Sequence, residues 1–431
     1  MKSLSYGRQW IDENDIAEVV NVLKGDWLSQ GPVVKLFEEE LAEYIGTREA
    51  VVFSSGTAAL HGSVIAAGLK EGDEMLTTSM TFVATANAAL YAGAEPIFAD
   101  ISKDTLCMAP IKAETKLSRK VKAIVPVSFA GYPINIEPFR AMAKECGAVL
   151  IEDACHSLGG VRTDNGGRAR KIGRDADMTV FSFHPVKHIT TGEGGAVVTD
   201  DAEYARRLRM FRNHGITRSA GEFEEEADGP WHSEMQMLGF NYRLSDIQCA
   251  LGRSQLKRLG MFIGRRRELA EMYRSMLADE EGVCLPPSQE GHAWHLFPIR
   301  VGADIRAALF SHLSENGIRP QVHYLPVSLH PYYKRRFGYK KGDFPEAERF
   351  YGRTLSLPLY PSMEDADVER VVSCVKSFFK KSKAITFRRA PPLYGNPENV
   401  SERDSRRASL YMDGRIAQNR ECRYRIGHST D

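Results

Sequence analysis

The chain has 431 residues, of which 43% are hydrophobic and 26% are charged, and its formal net charge is +1. This composition is typical of a globular protein with one large and one small core, and the near-zero charge gives no reason to expect a nucleic-acid partner. No run approaches the roughly 20 apolar residues of a membrane helix. Residues 1–8 lack the apolar core of a signal peptide, so we expect a cytoplasmic protein without membrane contact.

Two helices joined by a loop are predicted at the start of the chain. Residues 12–23 form the first, with Asp12 as its N-cap, and residues 33–44 form the second, with Pro32 at its start. Residues 24–32 connect them.

Between residues 50 and 200, strand-like apolar segments alternate with helical segments. Strands are predicted at residues 50–53, 74–78, 96–99, 123–127, 149–151, 179–183 and 196–199, and helices at 57–67, 82–92 and 136–146. Apolar strands without strict alternation, separated by helices, indicate a mostly parallel sheet covered on both faces. We therefore predict an α/β fold. Its ligand site lies along the edge where Thr57, Asp153, Ser182 and Lys187 fall.

A single lysine, Lys187, follows the strand at 179–183. Pro185 prevents the strand from simply continuing, and the glycines at 192, 194 and 195 permit sharp turns before the next strand. Among 57 Lys plus Arg residues a solvated surface lysine is the ordinary alternative. Asp153 lies at the carboxyl end of the strand predicted at 149–151. A Schiff-base lysine and a counter-charge for a protonated pyridine nitrogen are the contacts that pyridoxal 5'-phosphate (PLP) requires.

A phosphate cradle is predicted at residues 54–60, which include Gly56 and Thr57. This segment follows a strand and opens a helix, so free backbone N–H groups, the helix dipole and a hydroxyl converge on an anion. Ser182 adds another hydroxyl. The seven cysteines form no Cys-x-x-Cys pair, so no metal site is predicted.

The rest of the chain predicts a smaller α+β domain and a tail. Helices are predicted at residues 202–212, 246–259, 265–277, 305–316 and 365–379, a strand at 295–301, and an exposed loop at 215–230. We place the large domain at residues 1–260 and the small domain at 261–383. Residues 384–431 are polar and arginine-rich without periodicity, and are predicted to be disordered.

Six ordered motifs resemble the DegT/DnrJ/EryC1/StrS family of PLP-dependent sugar aminotransferases, which have the fold type I, aspartate-aminotransferase-like architecture. They are residues 55–57, 80–85, 152–154, 181–187, 191–195 and 239–246. The resemblance implies that an amino acid, glutamate, donates nitrogen to a nucleotide-linked keto sugar. It also implies a homodimer with shared active sites.

The family's cofactor contacts carry over to matching positions. The resemblance implies that Lys187 binds PLP covalently, that Phe82 stacks on its ring and that His156 hydrogen-bonds its phenolic oxygen. Asn241 would reach the phosphate in the neighbouring subunit.

Within the family the chain is most similar to the branch called PseC, at residues 6–9, 152–156, 184–187 and 321–327. That branch aminates C4 of UDP-2-acetamido-2,6-dideoxy-β-L-arabino-hex-4-ulose in pseudaminic acid biosynthesis. The resemblance implies a substrate site formed by Tyr6, Asp26, Trp27, Leu28, Ser29, Gly56, Ser182, Asn241, Gln321, Val322, His323 and Tyr324.

Several alternatives stay open. Phe82 and Trp27 could be core residues, and the sugar could be a GDP- or dTDP-linked 4-keto hexose. Some family members are dehydrases in which a histidine replaces the lysine, but here Lys187 is present and His188 is only its neighbour. A PLP-binding regulatory protein without turnover is the most distant alternative.

Overall fold

The computed structural model describes residues 3–164 and 166–389. In chain order the strands are β1 (Leu4–Ser5), β2 (Glu49–Phe53), β3 (Glu74–Thr78), β4 (Glu95–Ala99), β5 (Val121–Val125), β6 (Val149–Asp153), β7 (Val161–Thr163), β8 (Ala169–Lys171), β9 (Met178–Ser182), β10 (Gly195–Thr199), β11 (Ile216–Thr217), β12 (Glu234–Met235), β13 (Phe297–Arg300), β14 (Ile318–Arg319) and β15 (Thr354–Leu357). The α-helices are α1 (Glu13–Leu23), α2 (Pro32–Ile45), α3 (Gly56–Ala66), α4 (Val83–Tyr91), α5 (Pro110–Glu114), α6 (Glu137–Cys146), α7 (Ala202–Phe211), α8 (Asp246–Leu277), α9 (Arg306–Glu315), α10 (Pro331–Phe337), α11 (Pro345–Arg353) and α12 (Asp365–Arg389).

The central sheet contains seven strands in the order β2-β10-β9-β6-β5-β3-β4. β10 runs antiparallel to β2 and β9, and the other neighbouring strands are parallel. Each strand and helix predicted between residues 50 and 200 is present, with ends shifted by at most two residues. The predicted α/β fold with a mostly parallel sheet is confirmed.

Helices cover both faces of this sheet, which is why its strands are apolar at nearly every position. Successive residues of β2 point to opposite faces, as the period of a strand requires. Val52 packs with Phe37 of α2 and Leu259 of α8, whereas Val51 packs with Leu60 of α3 and Leu208 of α7. The central sheet therefore lies between two buried apolar layers, which fix the positions of its strand ends.

A second core lies beyond the sheet, around the antiparallel pair β13–β15. Leu309 of α9 and Val371 of α12 pack there with Tyr273, from the C-terminal half of α8. Leu4 of β1 joins the same core because β1 pairs with β14. The N-terminal strand thus brings the neighbouring Tyr6 beside residues 321–324.

Helix α8 connects the two cores as one helix of 32 residues. The predicted break between residues 259 and 265 is wrong. A Cβ at Gly260 or Gly264 would meet no atom within 4 Å, and a glycine inside a helix costs only about 1 kcal/mol relative to alanine. The predicted domain boundary at 260/261 falls inside this helix, and the domain division stays a prediction.

The last helix, α12, continues to Arg389 and so includes the first residues of the predicted tail. Residues 390–431 lie outside the described part of the chain. Within residues 3–164 and 166–389, no helix combines the length and apolar character needed to span a bilayer.

Candidate active site

Lys187 lies in a loop between β9 and β10 that is closed at its base by main-chain hydrogen bonds. Phe183 N–H donates to Gly194 O (2.8 Å) and Thr191 N–H donates to Phe183 O (3.0 Å). Inside the loop, Lys187 N–H donates to His184 O (2.8 Å). The loop therefore holds the lysine at the carboxyl end of β9, at the predicted edge of the sheet.

The amine of Lys187 loses its proton more readily than an exposed lysine does. Burial lowers its pKa, and the positive charge of Arg266 lowers it further, while Cys155 and Asp153 oppose the shift when ionised. Because only the unprotonated amine attacks a carbonyl or accepts a proton, this environment suits a nucleophile and general base.

Asp153 ends β6 and is buried, with both carboxylate oxygens in hydrogen bonds. The Thr85 hydroxyl donates to Oδ2 (2.6 Å), and Cys155 N–H donates to Oδ1 (3.1 Å). Thr81 in turn lies 2.8 Å from the Thr85 hydroxyl, oxygen to oxygen. The carboxylate is thus fixed in direction. Thr85 was not assigned from the sequence, although it ends the motif at residues 80–85.

The N-terminus of α3 forms a tight cradle. Ser55 caps the helix by accepting a hydrogen bond from Ala58 N–H (3.0 Å). A Cβ at Gly56 would lie 3.0 Å from the Cβ of Ser182, and one at Gly195 would lie 2.6 Å from Gly56 N. Because glycine is required at these positions, an anion can approach the backbone N–H groups closely. Gly56, Thr57 and Ser182 therefore fit a phosphate group.

His156 is buried beside the lysine and is uncharged. Burial, and then the charge of Lys187, lower its pKa well below the ordinary value. Ala130 N–H donates to Nδ1 (3.3 Å), so the proton belongs on Nε2, which lies 3.3 Å from the Tyr324 hydroxyl. Both ring nitrogens thus have protein partners, and the predicted bond to the phenolic oxygen of PLP stays a prediction.

An aromatic rim surrounds the lysine. Tyr6 contacts the ring of His323 edge to face (4.9 Å between centroids), and Phe82 contacts Tyr324 (5.9 Å). Phe82 is 54% exposed, so the alternative of a core phenylalanine is wrong. A Cβ at Gly7 would lie 3.1 Å from the Cβ of Val186, which places the Tyr6 segment against the lysine loop.

His323 contacts β15 through its ring. Its Nδ1 lies 2.9 Å from Ser356 Oγ, and burial, with the charge of Lys187, lowers its pKa to about 3. Burial raises the pKa of Tyr324. Val322 is partly buried and Gln321 is exposed, its side-chain oxygen accepting from Val322 N–H (2.9 Å). The rim therefore carries neutral polar groups at physiological pH.

The remaining predicted residues lie apart from this group. Asp26, Trp27, Leu28 and Ser29 form an exposed loop, and Trp27 is 62% exposed, so the alternative of a core tryptophan is wrong. Asp246 N–H donates to Ser29 O (3.2 Å), which anchors the loop to the start of α8. Asn241 is also exposed.

One further residue near the lysine was missed. Arg266 is fully buried on α8, and its Nη2 lies 3.5 Å from Lys187 O. The sequence places it between two other arginines in an amphipathic run, which is the pattern of a solvated helix face, so no local signal distinguished it.

Comparison with known proteins identifies the family. The model of the DegT/DnrJ/EryC1/StrS aminotransferase family matches residues 9–376. The spore coat polysaccharide biosynthesis protein SpsC of Bacillus subtilis is 40% identical over 384 residues, which are 88% of this chain and 97% of that protein.

Two solved structures share the fold. PseC of Helicobacter pylori, an aminotransferase of pseudaminic acid biosynthesis, is 32% identical, with a TM-score of 0.80 over 88% of this chain and 100% of its own. The sugar aminotransferase Spr1654 of Streptococcus pneumoniae, described as putative, is solved in a PLP form (27% identity, TM-score 0.81, 88% and 99% covered) and a PMP form (26%, 0.82, 89% and 99%).

The matched residues include the lysine loop, the Asp153 strand and the helix cradle, which together fit PLP. This chain therefore belongs to the DegT/DnrJ/EryC1/StrS aminotransferase family and is a PLP-dependent sugar aminotransferase.

Proposed function

We propose that the enzyme moves the amino group of L-glutamate to C4 of a UDP-linked 4-keto-6-deoxy sugar, UDP-2-acetamido-2,6-dideoxy-β-L-arabino-hex-4-ulose, in pseudaminic acid biosynthesis. The observation that carries this proposal is the rim, where Tyr6 meets the adjacent pair His323 and Tyr324 beside the lysine loop although it comes from a distant part of the chain. These positions match the PseC branch. The likeness to PseC over 88% of this chain supports the same substrate.

The family resemblance and the geometry of the site together support the proposed cofactor contacts. Lys187 would bind PLP covalently, Asp153 would pair with its ring nitrogen, and Phe82 would lie against the ring. Gly56, Thr57 and Ser182 would hold the phosphate. When bound, PLP supplies a carbonyl that condenses with amines and a ring that accepts the electrons of a carbanion.

The chain's own residues supply the proton transfers. Unprotonated Nζ of Lys187 removes the Cα proton of glutamate, which leaves as 2-oxoglutarate after giving up its nitrogen. In the second half of the cycle Nζ returns a proton to C4 of the sugar, and the ketone becomes an amine. Asp153, whose Oδ2 accepts a hydrogen bond from the Thr85 hydroxyl, would pair with the protonated ring nitrogen.

A homodimer is part of the proposal. Trp231, Met235 and Leu238 are 74%, 63% and 73% exposed and belong to the same stretch as Asn241. Exposed large apolar side chains grouped in this way are typical of an interaction surface. A second copy covering them would bring Asn241 close to its active site, as in the family.

The dimer gives a testable prediction. Trp231→Glu combined with Leu238→Glu should convert a dimer into a monomer in sedimentation velocity, because two carboxylates would be buried in an apolar contact. Ile111→Glu is the matched control, since Ile111 is 71% exposed on α5, outside the stretch that carries Trp231 and Leu238, and should leave the dimer intact. A monomeric wild-type chain, or a double variant that still dimerises, would refute this part of the proposal.

A GDP- or dTDP-linked 4-keto sugar is the second candidate. SpsC, which is 40% identical to this chain, is named for spore coat polysaccharide biosynthesis, and this supports a sugar other than the PseC substrate. The two candidates differ in the nucleotide and in the sugar, not in the chemistry.

The rate of the second half-reaction with each sugar distinguishes the candidates. The PLP-loaded enzyme is first treated with glutamate, so that the cofactor carries the amino group, and excess glutamate is removed. A UDP-, GDP- or dTDP-linked 4-keto-6-deoxy sugar is then added singly, and the return of the PLP absorbance is followed. We expect the PLP absorbance to return in a single turnover with the UDP sugar, and to return at least about tenfold more slowly with the other sugars. Faster return with a GDP or dTDP sugar would establish the second candidate.

Trp27→Ala should raise the KM of the sugar and leave the glutamate half-reaction unchanged.

A further inference from the structure

Arg266 is a fully buried cation that, in the described part of the chain, forms no ion pair with a carboxylate. Its Nη1 donates to Leu359 O (2.8 Å), Trp294 O (3.2 Å) and His295 O (3.4 Å), and its Nη2 lies 3.5 Å from Lys187 O. Burying a guanidinium without a counter-ion is costly. Burial also lowers the pKa of Arg266 to about 9. If hydrogen bonds to these carbonyl groups were all that was needed, an uncharged donor could form them at a lower cost of burial.

The position of Arg266 indicates a role for its buried charge. It lies on α8, the helix that passes between the two cores, and its guanidinium contacts three separate segments. These are the lysine loop, residues 294–295 ahead of β13, and Leu359 beyond β15. One side chain therefore fastens the main chain at Lys187 to the small-domain strands.

The other groups around Lys187 either are neutral or favour the protonated amine. Asp153 favours the protonated amine, whereas burial raises the pKa of Cys155 well above its ordinary value and keeps that thiol neutral. The nearby histidines are uncharged because burial lowers the pKa of each, and they are His156, His184, His188, His295 and His323. Among the described groups that influence Lys187, Arg266 is the cation that disfavours its protonation at neutral pH.

We propose that Arg266 is the positioning residue of Lys187, with two effects that follow from one contact. Its guanidinium fixes the main chain of the lysine loop, and its charge keeps the lysine amine unprotonated and reactive. The proposal rests on the proposed role of Lys187, but its test requires no aminotransferase activity.

The test measures the reactivity of Lys187 in the full chain freed of cofactor. Wild type and variants are labelled with trace acetic anhydride between pH 6 and pH 10, and the peptide carrying Lys187 is quantified by mass spectrometry against the peptide of Lys35, an exposed lysine. Arg266→Gln keeps donors for the carbonyl groups but removes the charge. Arg266→Lys keeps the charge but loses the planar fork.

In Arg266→Gln we expect labelling of Lys187 at pH 7 to fall roughly tenfold, which is the scale of losing one nearby unit charge inside a protein. The deficit should disappear at high pH, because the amine is then unprotonated in every variant. Arg266→Lys should stay within about twofold of wild type. Arg267→Met is the matched control, since Arg267 is the exposed neighbour on the same helix and should label as wild type.

Two results would overturn the proposal. The first is unchanged or increased labelling of Lys187 in a folded Arg266→Gln chain, which would leave only a structural role. The second is an equal loss in Arg266→Gln and Arg266→Lys, which would exclude an effect of charge. If Arg266→Gln does not fold by circular dichroism, Arg266→Met, which buries no unpaired amide, takes its place in the same comparison.

Discussion

Lys187→Ala should abolish transamination, with the glutamate half-reaction falling at least about 10⁴-fold. Lys187 is proposed both to bind the cofactor and to move the proton between Cα and the cofactor, and a positioned general base alone contributes about 10²–10⁴-fold. His156 and His323 cannot replace Lys187, because burial lowers the pKa of each imidazole and so leaves it too weak a base to remove the Cα proton. The measurement is rapid-mixing absorbance of the PLP-loaded protein with glutamate.

The control for this prediction is Lys171→Ala. Lys171 is also a lysine whose pKa burial lowers, but it lies on β8 and bonds to Tyr44 O, away from the carboxylate of Asp153. We expect it to react at the wild-type rate. A Lys187→Ala variant that keeps even a tenth of the wild-type rate would show that another residue moves the proton.

Asp153→Asn should slow both half-reactions about 10³-fold, a rise in barrier of about 4 kcal/mol. The carboxylate is proposed to keep the ring nitrogen of PLP protonated, which is what allows the ring to accept electrons. An amide has almost the same shape but carries no charge, so packing is retained and electrostatic stabilisation is lost. Rates are measured with glutamate and, separately, with the keto sugar.

Thr85→Val separates charge from orientation. It removes the 2.6 Å hydrogen bond to Asp153 Oδ2 but leaves the carboxyl group in place, so we expect a loss of only about tenfold. A Thr85→Val loss as large as that of Asp153→Asn would mean that direction, not charge, is what the carboxylate supplies. An Asp153→Asn variant within tenfold of wild type would remove Asp153 from the proposed mechanism.

Local sequence predicted the centre of the site because its chemistry follows strand ends. Asp153 closes β6, Lys187 follows β9, and Ser55 and Gly56 open α3, so short patterns of apolar residues, glycine and proline were enough to place them on one edge. The same reasoning placed the strands of the central sheet within two residues. Parallel strands with helical crossovers leave few alternatives.

Contacts made across long stretches of sequence were not predictable in this way. Thr85 orients a carboxylate 68 residues away, and Tyr324 meets His156 across 168 residues. The fold, not a local pattern, brings these pairs together. Arg266 is the clearest case, because an arginine between two arginines on a helix resembles a solvated face until the second core is seen packed around it.

The length of α8 was misjudged for a related reason. Two glycines at 260 and 264 indicated an interruption, but the helix is capped by Ser245 and packed against both cores, which outweighs a cost of about 1 kcal/mol per glycine. Tertiary packing overrode local propensity there.

Transfer of labelled nitrogen tests the central claim most directly. PLP-loaded wild-type protein is incubated with ¹⁵N-glutamate and the UDP-linked 4-keto-6-deoxy sugar, and the nucleotide sugar is analysed by mass spectrometry. We predict a UDP-linked 4-amino sugar that carries ¹⁵N, with one 2-oxoglutarate formed for each sugar aminated and no product from Lys187→Ala. A loaded wild-type protein that leaves every 4-keto nucleotide sugar free of ¹⁵N would contradict the account.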